Sequence, residues 1–425
     1  MKVFKFGGAS VNSADAVRNM AQIVRKHLEP NAPSLVVVVS AMGKTTNLLE
    51  RLVPGVSTKE EAAALRRQLE DYHRGIASAL MPDNGDVQGD LTSVLSRFDI
   101  TTKLLRAKDD YNYNYDQTVS YGEILSTTII AHYLNRIGIR TTLVDARKIV
   151  ITDSHYREGR VDWDFTHGTC KLMLEAAMGY DVVLTQGFIG SVKDSDNTTT
   201  LGREGSDYSA AILAYCLDAE SVTIWKDVPG FLNADPKFFE DTVKITEIPY
   251  NEAIELAYYG ASVIHPKTVK PIQNKGIPLY IRSFITPDSE GSSVGNYHTI
   301  RPETPLYIFK NDQILLSILP RDYSFIAEDN LQVIFGILNE LGIRVNLMQN
   351  SALSFSICID NNPHRTGALT ERLNSMFRVR YNDNLQLVTI RYYNQDVIDS
   401  IVDGRPILLE QRSRLTAQLI VPARG

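Results

Sequence analysis

Cysteine is scarce in this sequence, and long apolar runs are missing. Among its 425 residues are three cysteines, Cys170, Cys216 and Cys358, which lie far apart and form no CxxC pair. A sparse, odd set of this kind predicts reduced, buried thiols in a cytoplasmic protein and argues against a disulfide framework. The longest purely aliphatic run, 35–39, is far shorter than the roughly 20 residues that a membrane-spanning helix needs, and we expect neither a signal peptide nor contact with a membrane.

The sequence also lacks an excess of basic residues. Its formal net charge is −6, whereas a nucleic-acid-binding protein usually carries a basic patch on at least one domain, so no nucleic-acid partner is expected. No spacing of histidine, cysteine and acidic residues suggests a metal site built by the protein alone. The composition, 44% hydrophobic and 22% charged residues, is that of a soluble globular protein, and the length predicts two or three domains.

The beginning of the chain has the pattern of a βαβ unit. Val3, Phe4 and Phe6 predict a strand, Gly7–Gly8 a turn, and Ser13 the cap of a helix with an apolar face. The β-branched run 35–39 is typical of a strand buried on both faces of a parallel sheet. After a polar, helical stretch at 58–116, which we interpret as an insertion or lid, the alternation of strands and helices returns.

The composition changes again near residue 296. Prolines and glycines between Pro287 and Pro305 mark a change of composition, from which we predict a linker at 296–306 after a first domain at 1–295. The remaining 307–425 has the order strand, helix, two strands and helix, followed by a shorter echo of that order. The sequence therefore predicts an α/β domain with a mainly parallel sheet, and a tail of two related α+β modules of which the second is abbreviated.

A glycine pair follows the first predicted strand in the segment Lys5-Phe6-Gly7-Gly8. Glycine lets the backbone approach an anion and offers unobstructed N–H donors, and the nearby lysine adds a mobile positive charge. By itself the segment is equally consistent with a tight turn that carries a surface lysine. The segment Gly43-Lys44-Thr45 is not a P-loop, because Val38 stands where that motif needs a glycine.

A second glycine loop, 201–207, leads into a predicted helix that Ser206 could cap. Helix N-termini carry free N–H groups and partial positive charge, which suit a phosphate or carboxylate, and Arg203 can hold a carboxylate through two hydrogen bonds. Asp207 has two interpretations. It is either a carboxylate that orients a lysine or a metal ion, or an ordinary first-turn acid favoured by the helix dipole.

A third loop follows the predicted strand at 221–225. The residues from Trp225 to Gly230, and then Asp235-Pro236-Lys237, come after a parallel strand, which is where α/β sheets bind ligands. A plain connection from strand to helix would have the same pattern. His265, a lone histidine, is interpreted as a structural hydrogen-bonding residue.

Seven motifs in order make the sequence resemble the aspartokinase branch of the amino acid kinase family. They are Lys5–Val11, Val39–Gly43, Ser120–Glu123, Gly187–Gly190, Thr200–Asp207, Trp225–Pro236 and Gly260–Thr268. The resemblance covers nearly the whole chain. It implies a three-layer amino-acid-kinase domain with a mainly parallel central sheet, and a tail of ACT-like (βαββαβ) modules. It also implies ATP-dependent phosphorylation of L-aspartate to 4-phospho-L-aspartate, the first step toward lysine, threonine and methionine.

The resemblance gives roles to individual residues. Lys5 and Asp207 match the catalytic pair, in which the lysine stabilises the transferred phosphoryl group and the aspartate organises the site. Positions that hold the substrate aspartate are matched by Ser40, Thr46, Glu123, Arg203 and Ser206, and positions around the nucleotide by Gly7, Gly8, Lys226, Asp227, Asp235 and Lys237. Glu123 would suit the substrate ammonium and Arg203 its α-carboxylate.

The chemistry of the implied reaction agrees with this set of residues. An aspartate side chain is ionised at neutral pH, so it can attack phosphorus without a general base. The protein has to bring two anions together and neutralise charge on the phosphoryl oxygens. ATP together with Mg²⁺ is therefore expected.

Several residues depart from the family pattern. Ala9 replaces a threonine, Glu204 a glycine or asparagine, Leu232 a tyrosine near the adenine, and Ser262 a nucleotide-contacting lysine. In the tail, Asn346 stands where many lysine-sensitive members have an aspartate, and asparagine cannot neutralise an effector ammonium. We therefore expect weak or absent inhibition by lysine, while another amino-acid effector at the ACT-like tail stays open.

The resemblance also bears on assembly. ACT-like modules usually pair between chains, which implies a homodimer or a larger assembly. Two alternatives for the function are open from the sequence: a kinase for another small amino acid such as glutamate, and a catalytically inactive amino-acid sensor in which only the tail works. The presence of Lys5, Arg203 and Asp207 argues against the inactive sensor.

Overall fold

The computed structural model describes residues 1–29, 34–83, 85–239, 241–261, 263–322 and 324–424. The chain forms two compact units, and each is described by itself. The first unit consists of Met1–Phe231, Lys244–Ile254 and Ser262–Pro302, and the second of Leu232–Val243, Glu255–Ala261 and Glu303–Gly425.

Strands of the first part of the chain alternate with helices, as the sequence predicts. In chain order the strands are β1 (Lys2–Phe6), β2 (Leu35–Val39), β3 (Thr141–Val144), β4 (Ile151–Thr152), β5 (Val182–Gln186), β6 (Ile189–Val192), β7 (Thr198–Thr200), β8 (Ser221–Lys226), β9 (Phe231–Leu232), β10 (Lys244–Ile245), β11 (Glu247–Pro249), β12 (Leu279–Ser283) and β13 (Ser292–Gly295). The helices are α1 (Ala14–Lys26), α2 (Thr45–Arg51), α3 (Lys59–Leu80), α4 (Gly85–Leu104), α5 (Tyr111–Val119), α6 (Tyr121–Arg136), α7 (Trp163–Ala177), α8 (Gly205–Cys216), α9 (Tyr250–Tyr259) and α10 (Pro266–Lys275).

An eight-stranded sheet lies at the centre of the first unit. Its spatial order is β11-β13-β12-β8-β1-β2-β5-β3, and every neighbouring pair except β12 with β13 is parallel. All five residues of β2 are buried, because a central parallel strand packs on both of its faces. The predicted α/β fold class with a mainly parallel sheet is confirmed.

Helix α1 begins where local chemistry favours it. Ser13 caps α1 by accepting the backbone N–H of Ala16 at 3.2 Å, as predicted. The predicted helical insertion at 58–116 corresponds to α3, α4 and most of α5. Arg66 joins the first two of these, since its guanidinium donates to both carboxylate oxygens of Asp99 at 2.7 and 3.1 Å.

A small three-stranded sheet in the first unit leads toward the candidate site. Its order is β4-β6-β7, with β4 parallel and β7 antiparallel to the middle strand. All three residues of β7 are buried. Gln117 of α5 holds this strand through both atoms of its amide, donating to Thr198 O at 2.7 Å and accepting from Thr198 N at 3.1 Å. Strand β7 is followed directly by the glycine loop 201–207.

The described residues of the second unit form an antiparallel sheet of six strands. Its elements are β14 (Leu306–Pro320), α11 (Glu328–Glu340), β15 (Val345–Asn350), β16 (Phe355–Asp360), α12 (Pro363–Met376), β17 (Phe377–Arg391), α13 (Gln395–Val402), β18 (Leu409–Arg412) and β19 (Thr416–Pro422). The spatial order is β15-β16-β14-β17-β19-β18, which is consistent with ACT-like modules. The two longest strands, β14 and β17, pair with each other over most of their lengths.

The long strands change the predicted arrangement of the tail. The sequence predicted a first tail strand at 314–319, but β14 begins at Leu306, where residues 306–310 pair with the second half of β17. The second half of β14 pairs with the first half of β17, after a register shift in the pairing of the two strands. Each module therefore contains one half of β14 and one half of β17. The two modules share a single sheet and do not form two separate sheets.

Two segments from inside the predicted first domain belong to the second unit, namely 232–243 and 255–261. Aromatic packing within that unit explains the first of them, because the ring of Phe239 stacks on Tyr307 with centroids 4.9 Å apart. The backbone N–H of Tyr307 also donates to Asn233 O at 2.7 Å. The domain limits drawn from the sequence, 1–295 and 307–425, stay predictions.

Three smaller expectations concern features away from the sheets. All three cysteines are free and buried, as their scarcity suggested. His265 caps α10, with its Nδ1 accepting the backbone N–H of Lys267 at 3.2 Å, which confirms its structural interpretation. Within the described ranges, no helix combines the length and apolar character required to cross a bilayer.

Candidate active site

The carboxyl ends of three neighbouring parallel strands, β8, β1 and β2, bring candidate residues to one edge of the central sheet. Lys5 is the penultimate residue of β1, Lys226 is the last residue of β8, and Ser40 follows β2 directly. Because these strands are parallel and adjacent, the residues that follow them emerge side by side. The N-terminus of α8, which carries the loop 201–207, completes this edge.

A cavity of about 850 Å³ opens at this edge within the first unit. Nine of the residues singled out in the sequence line it: Lys5, Gly8, Ser40, Thr46, Glu123, Arg203, Ser206, Asp207 and Lys226. They come from five separate stretches of the sequence. The structure therefore collects both predicted catalytic residues and all five predicted acceptor-binding residues around one space large enough for small-molecule substrates.

The floor of the cavity holds a buried cluster of three charges. Asp207 is nearly inaccessible, and its two carboxylate oxygens face two ammonium groups, with Lys5 Nζ 2.6 Å from Oδ1 and Lys226 Nζ 3.0 Å from Oδ2. Burial alone would raise the pKa of Asp207, but the charges of Lys5 and Lys226 hold it below its ordinary value. The aspartate is thus an anion that fixes two cations, and this favours the interpretation in which it orients a lysine.

Glu123 supplies a carboxyl group of a different kind. It lies in the first turn of α6, is 2% exposed, and its Oε1 accepts the backbone N–H of Ala41 at 3.3 Å. Its Oε2 has no hydrogen-bond partner among the described residues. Burial raises the pKa of Glu123 to about 8, since no basic side chain is paired with it in the described structure. Such a group gains most from a ligand that brings a positive charge.

The glycine loop 201–207 packs tightly against Gly187, the residue that follows β5. A Cβ atom on Gly187 would lie 2.6 Å from the Cβ atom of Ser206, so only glycine allows the loop to come this close. The predicted capping role of Ser206 is wrong, because the N-cap of α8 is Glu204 and no described side chain caps the helix. Ser206 lies one residue into α8, and its side chain faces the cavity.

Glu204 has an unusual backbone for its residue type. Its φ of 53° lies in the left-handed region, which glycine and asparagine adopt more easily. Its Oε2 is buried and has no hydrogen-bond partner among the described residues, and burial raises the pKa of Glu204. The strained position thus places a carboxyl group on the cavity wall, close to the cluster formed by Lys5, Asp207 and Lys226.

The first glycine loop approaches a neighbouring turn closely. A Cβ atom on Gly8 would lie 2.8 Å from Ala41 O, and the backbone N–H of Gly43 donates to Gly8 O at 2.9 Å. The loops that follow β1 and β2 are therefore held together, and backbone from both lines the cavity. This contact explains why Gly43 belongs to the site although its segment is not a P-loop.

The remaining predicted residues do not line the cavity. Gly7 lies beside it, since a Cβ there would be 3.4 Å from Lys5 Nζ, and Asp227 is exposed in the turn after β8. Asp235 and Lys237 belong to the second unit, where Asp235 Oδ1 accepts the backbone N–H of Lys237 at 2.9 Å. Leu232 belongs to the second unit as well, and Ser262 lies outside the described residues. The nucleotide roles of these residues stay predictions.

Sequence reasoning missed one wall of the cavity. Helix α5 contributes Asn112 and Tyr115, and the loop before α7 contributes residues 155–158. The sequence alternates aromatic and polar residues from Tyr111 to Asp116, but this pattern is more typical of a helix end packed on a neighbour, and it predicts no site. Only the fold shows that this helix and this loop meet.

Comparison with known proteins places the geometry in context. The amino acid kinase family model matches residues 1–283. The lysine-sensitive aspartokinase 3 of Escherichia coli (strain K12) is 31% identical over 402 residues, covering 91% of this chain and 86% of that protein. Aspartokinase 1, chloroplastic, of Arabidopsis thaliana is 31% identical over 374 residues, covering 84% of this chain and 63% of that protein.

Solved structures give the same picture. The crystal structure of E. coli aspartokinase III in complex with lysine and aspartate (T-state) is 28% identical, with a TM-score of 0.83, and the match covers 99% of this chain and 96% of that one. The structure of the same enzyme with aspartate and ADP (R-state) has a TM-score of 0.81 at equal identity and coverage. The fold, the residues gathered at the cavity and these likenesses lead to one conclusion: this chain belongs to the amino acid kinase family, and within it to the aspartokinases.

Proposed function

We propose that this chain transfers the γ-phosphoryl group of ATP to the side-chain carboxylate of L-aspartate, giving ADP and 4-phospho-L-aspartate. The single observation that carries the proposal is the buried cluster of Lys5, Asp207 and Lys226 on the floor of a cavity that Glu123 and Arg203 also line. Two ammonium groups fixed by one carboxylate form a rigid positive surface. Such a surface is what the transfer of a phosphoryl group to an anion requires.

Each side chain then has a task that its surroundings permit. The acceptor carboxylate is already ionised and attacks the γ-phosphorus directly, so no base is needed. Lys5 neutralises the charge on the phosphoryl oxygens, and Asp207 holds Lys5 and Lys226 in place. The Oε2 of Glu123, which has no partner in the described part of the chain, binds the acceptor ammonium, while Arg203 binds its α-carboxylate. Ser40, Thr46 and Ser206 donate the remaining hydrogen bonds to the acceptor.

The charges of the residues that line the cavity indicate whether the reaction needs a metal ion. Among the described residues that line it, four are basic (Lys5, Arg157, Arg203 and Lys226) and four are acidic (Glu123, Glu158, Glu204 and Asp207), so the wall does not by itself neutralise ATP and a second anion. No group of three or more histidine, cysteine or acidic side chains that could hold a metal occurs in the described residues.

We infer that Mg²⁺ enters with the nucleotide, because this ion is commonly held by one or two carboxylates together with substrate phosphates. Glu204 fits this role, since its Oε2 has no partner in the described structure, whereas Asp207 is engaged by two lysines. When bound, the ion would offset negative charge on the phosphate oxygens.

An acceptor panel tests the proposal. ADP release is measured with ATP, Mg²⁺ and each of L-aspartate, L-glutamate and several uncharged amino acids. We expect turnover with aspartate that greatly exceeds turnover with any other acceptor. Preference for glutamate would replace the acceptor while keeping the reaction class, and no turnover with any acceptor would favour an inactive sensor.

The second unit suggests a regulatory part of the proposal. E. coli aspartokinase III has been solved with lysine, whereas this chain has Asn346 in β15. The amide of Asn346 accepts from Lys310 Nζ and donates to Gln313 Oε1 and Asp360 Oδ1, each at 2.8 Å. The amide is thus already bonded on both of its atoms, and the nearest ammonium is one of the chain's own. We therefore infer weak or absent inhibition by lysine.

Two further properties belong to the same proposal. We infer a homodimer or a larger assembly, because ACT-like modules commonly pair between chains and the sheet of the second unit has this character. We also infer a cytoplasmic location, since free, buried thiols are typical of proteins in a reducing compartment. Sedimentation and fractionation of cells are the direct measurements.

A further inference from the structure

Asp116 is a buried carboxylate next to the cavity but outside the catalytic cluster. It lies in α5 and has no accessible surface. Its Oδ2 accepts the backbone N–H groups of Arg157 at 2.8 Å and Thr200 at 2.9 Å, and its Oδ1 accepts the hydroxyl of Thr200 at 2.7 Å. Burying a carboxylate among neutral donors is costly, and burial raises the pKa of Asp116 to about 6. Because the burial of this carboxylate is unfavourable, we expect Asp116 to have a function.

The three hydrogen bonds join three elements that surround the cavity. Asp116 belongs to α5, Thr200 ends β7, and Arg157 lies in the loop between β4 and α7. Two of these elements, α5 and the loop, form the cavity wall that the sequence did not predict. The third runs into the glycine loop 201–207. Asp116 is therefore the point at which this wall is fixed to the segment that carries Arg203 and Asp207.

Arg157 is held in a strained position by this contact. Its φ of 68° lies in the left-handed region, where a residue other than glycine persists only if its surroundings enforce it. Its guanidinium lies over the ring of Tyr115, 4.5 Å from the centroid, and both residues line the cavity. The backbone carbonyl of Arg157 also packs against Gly202, next to Arg203, since a Cβ on Gly202 would lie 3.1 Å from it.

The position of Arg157 indicates that its guanidinium contacts the amino-acid acceptor and not the nucleotide. Its ring partner Tyr115 lies on α5, which packs against α2, the helix that carries the predicted acceptor residue Thr46. Lys226, in contrast, belongs to the cluster on the cavity floor, and Glu204 lies on the wall close to that cluster. No ion pair of Arg157 with an acidic side chain occurs in the described structure, so its charge is available to a ligand.

We propose that Asp116 is a positioning residue that holds Arg157, and that Arg157 is a second guanidinium for the carboxylates of the amino-acid acceptor. The inference rests on the proposed function, because it concerns the acceptor of that reaction. Arg203 alone can bind one carboxylate in a bidentate manner, whereas aspartate carries two. A second guanidinium stacked on a tyrosine gives the pocket a way to hold a dicarboxylate.

Steady-state kinetics of three variants test this inference. Arg157→Ala removes the guanidinium from an exposed side chain and should leave the fold intact. Asp116→Asn keeps the size of the side chain but replaces an acceptor atom by an NH₂ group that faces backbone donors. Each change should raise KM for aspartate by about tenfold, the effect of one lost charge-assisted hydrogen bond, while KM for ATP stays within about twofold. The third variant combines both changes.

The double variant distinguishes positioning from a separate role. If Asp116 acts through Arg157, Asp116→Asn combined with Arg157→Ala should raise KM for aspartate no further than either change alone. Gln117→Ala is the matched control, since Gln117 is the next residue, is buried, and holds β7 without touching the loop that carries Arg157. Its KM for aspartate should stay near that of the wild type.

Several outcomes would overturn the inference. The first is an unchanged KM for aspartate in Arg157→Ala. The second is a double variant in which the effects of the two changes on KM for aspartate multiply. The third is a rise in KM for ATP, in either single variant, equal to the rise in KM for aspartate. If Asp116→Asn fails to fold, as judged by circular dichroism, Arg157→Ala decides alone. If the wild type prefers another amino acid, the proposed acceptor is wrong and the same variants are judged by KM for that amino acid. If it turns over none, both the function and the inference are wrong.

Discussion

The ammonium group of Lys5 lies 2.6 Å from Asp207 Oδ1, and the two side chains are only 9% and 3% exposed. They come from distant parts of the chain, the end of β1 and the first turn of α8. Because the pair is buried, neither charge is screened by water, and Asp207 holds the lysine in one place at the edge of the cavity. This fixed cation is the centre of the proposed catalytic mechanism.

Replacement of Lys5 tests that role. Lys5→Ala should lower kcat by at least about a hundredfold, since a preorganised donor to the developing charge is lost. Lys2→Ala is the matched control, because Lys2 lies on the same strand but is 38% exposed and pairs with Glu29 at the surface. ADP release measures the rate, and circular dichroism checks the fold. Turnover of Lys5→Ala close to that of the control would remove Lys5 from the mechanism.

The pH dependence of acceptor binding should report on Glu123. Burial raises the pKa of Glu123 from its ordinary 4.5 to about 8, so its carboxyl is largely protonated in the ligand-free protein at neutral pH. Binding of an ammonium group requires the carboxylate. KM for aspartate should therefore fall as the pH rises from about 6 to about 8, by no more than about tenfold per unit. In Glu123→Gln the KM should be higher and nearly independent of pH.

The raised pKa of Glu123 also affects stability. A rise in pH should strengthen acceptor binding but lower the free energy of unfolding. A carboxyl whose pKa is raised on folding binds more protons in the folded state, so the free energy of unfolding falls as the pH rises between 4.5 and about 8, by at most about 1.4 kcal/mol per pH unit. Glu123→Gln should lack this part of the decline. Urea unfolding of both proteins across this range measures it. Identical pH profiles would show that Glu123 is ionised throughout.

Gly187 offers a test of the loop geometry. Gly187→Ala would place a methyl group 2.6 Å from the Cβ of Ser206, so the loop 201–207 must move and kcat/KM should fall about tenfold or more, as misplacement of reacting groups implies. Gly75→Ala in α3 is the control, because no atom of the described residues, apart from its chain neighbours and the nearby backbone of the helix, would lie within 4 Å of a Cβ there. That change should leave activity unchanged and raise stability by about 0.5–1 kcal/mol. Normal kcat/KM in Gly187→Ala would contradict the packing.

Feedback by lysine is the clearest regulatory test. Asn346 presents an amide that Lys310, Gln313 and Asp360 already engage, so we expect millimolar lysine to leave most of the activity. Rates are measured at subsaturating aspartate with and without lysine, and with threonine in parallel. Strong inhibition by sub-millimolar lysine would show that the effector is bound without a carboxylate at this position.

Much of the site could be predicted from sequence because its parts are local. The strand patterns before Gly7–Gly8 and at 221–225, and the rule that ligands lie at the carboxyl ends of parallel strands, are enough to place Lys5 and Lys226 at one edge. The glycine loop 201–207 is equally visible. Residues of these kinds can be recognised from short segments of sequence. The resemblance to a family then indicates that the segments belong to one site.

The rest depends on contacts between distant segments. Asp116 joins Arg157 and Thr200, and no local pattern shows that these three meet. The full length of β14 was missed for a similar reason, because its first half is defined by pairing with β17 late in the chain. The capping role predicted for Ser206 failed because Glu204, with a left-handed backbone, takes the cap position instead.

Trapping of the product with hydroxylamine tests the central claim most directly. An acyl phosphate reacts with hydroxylamine to give a coloured hydroxamate, whereas simple hydrolysis of ATP does not. Wild-type protein with ATP, Mg²⁺ and L-aspartate should produce aspartyl hydroxamate in step with ADP, and Lys5→Ala should produce almost none. Release of ADP without hydroxamate, or equal yields from the two proteins, would contradict the transfer of phosphate to the aspartate carboxylate at this cavity.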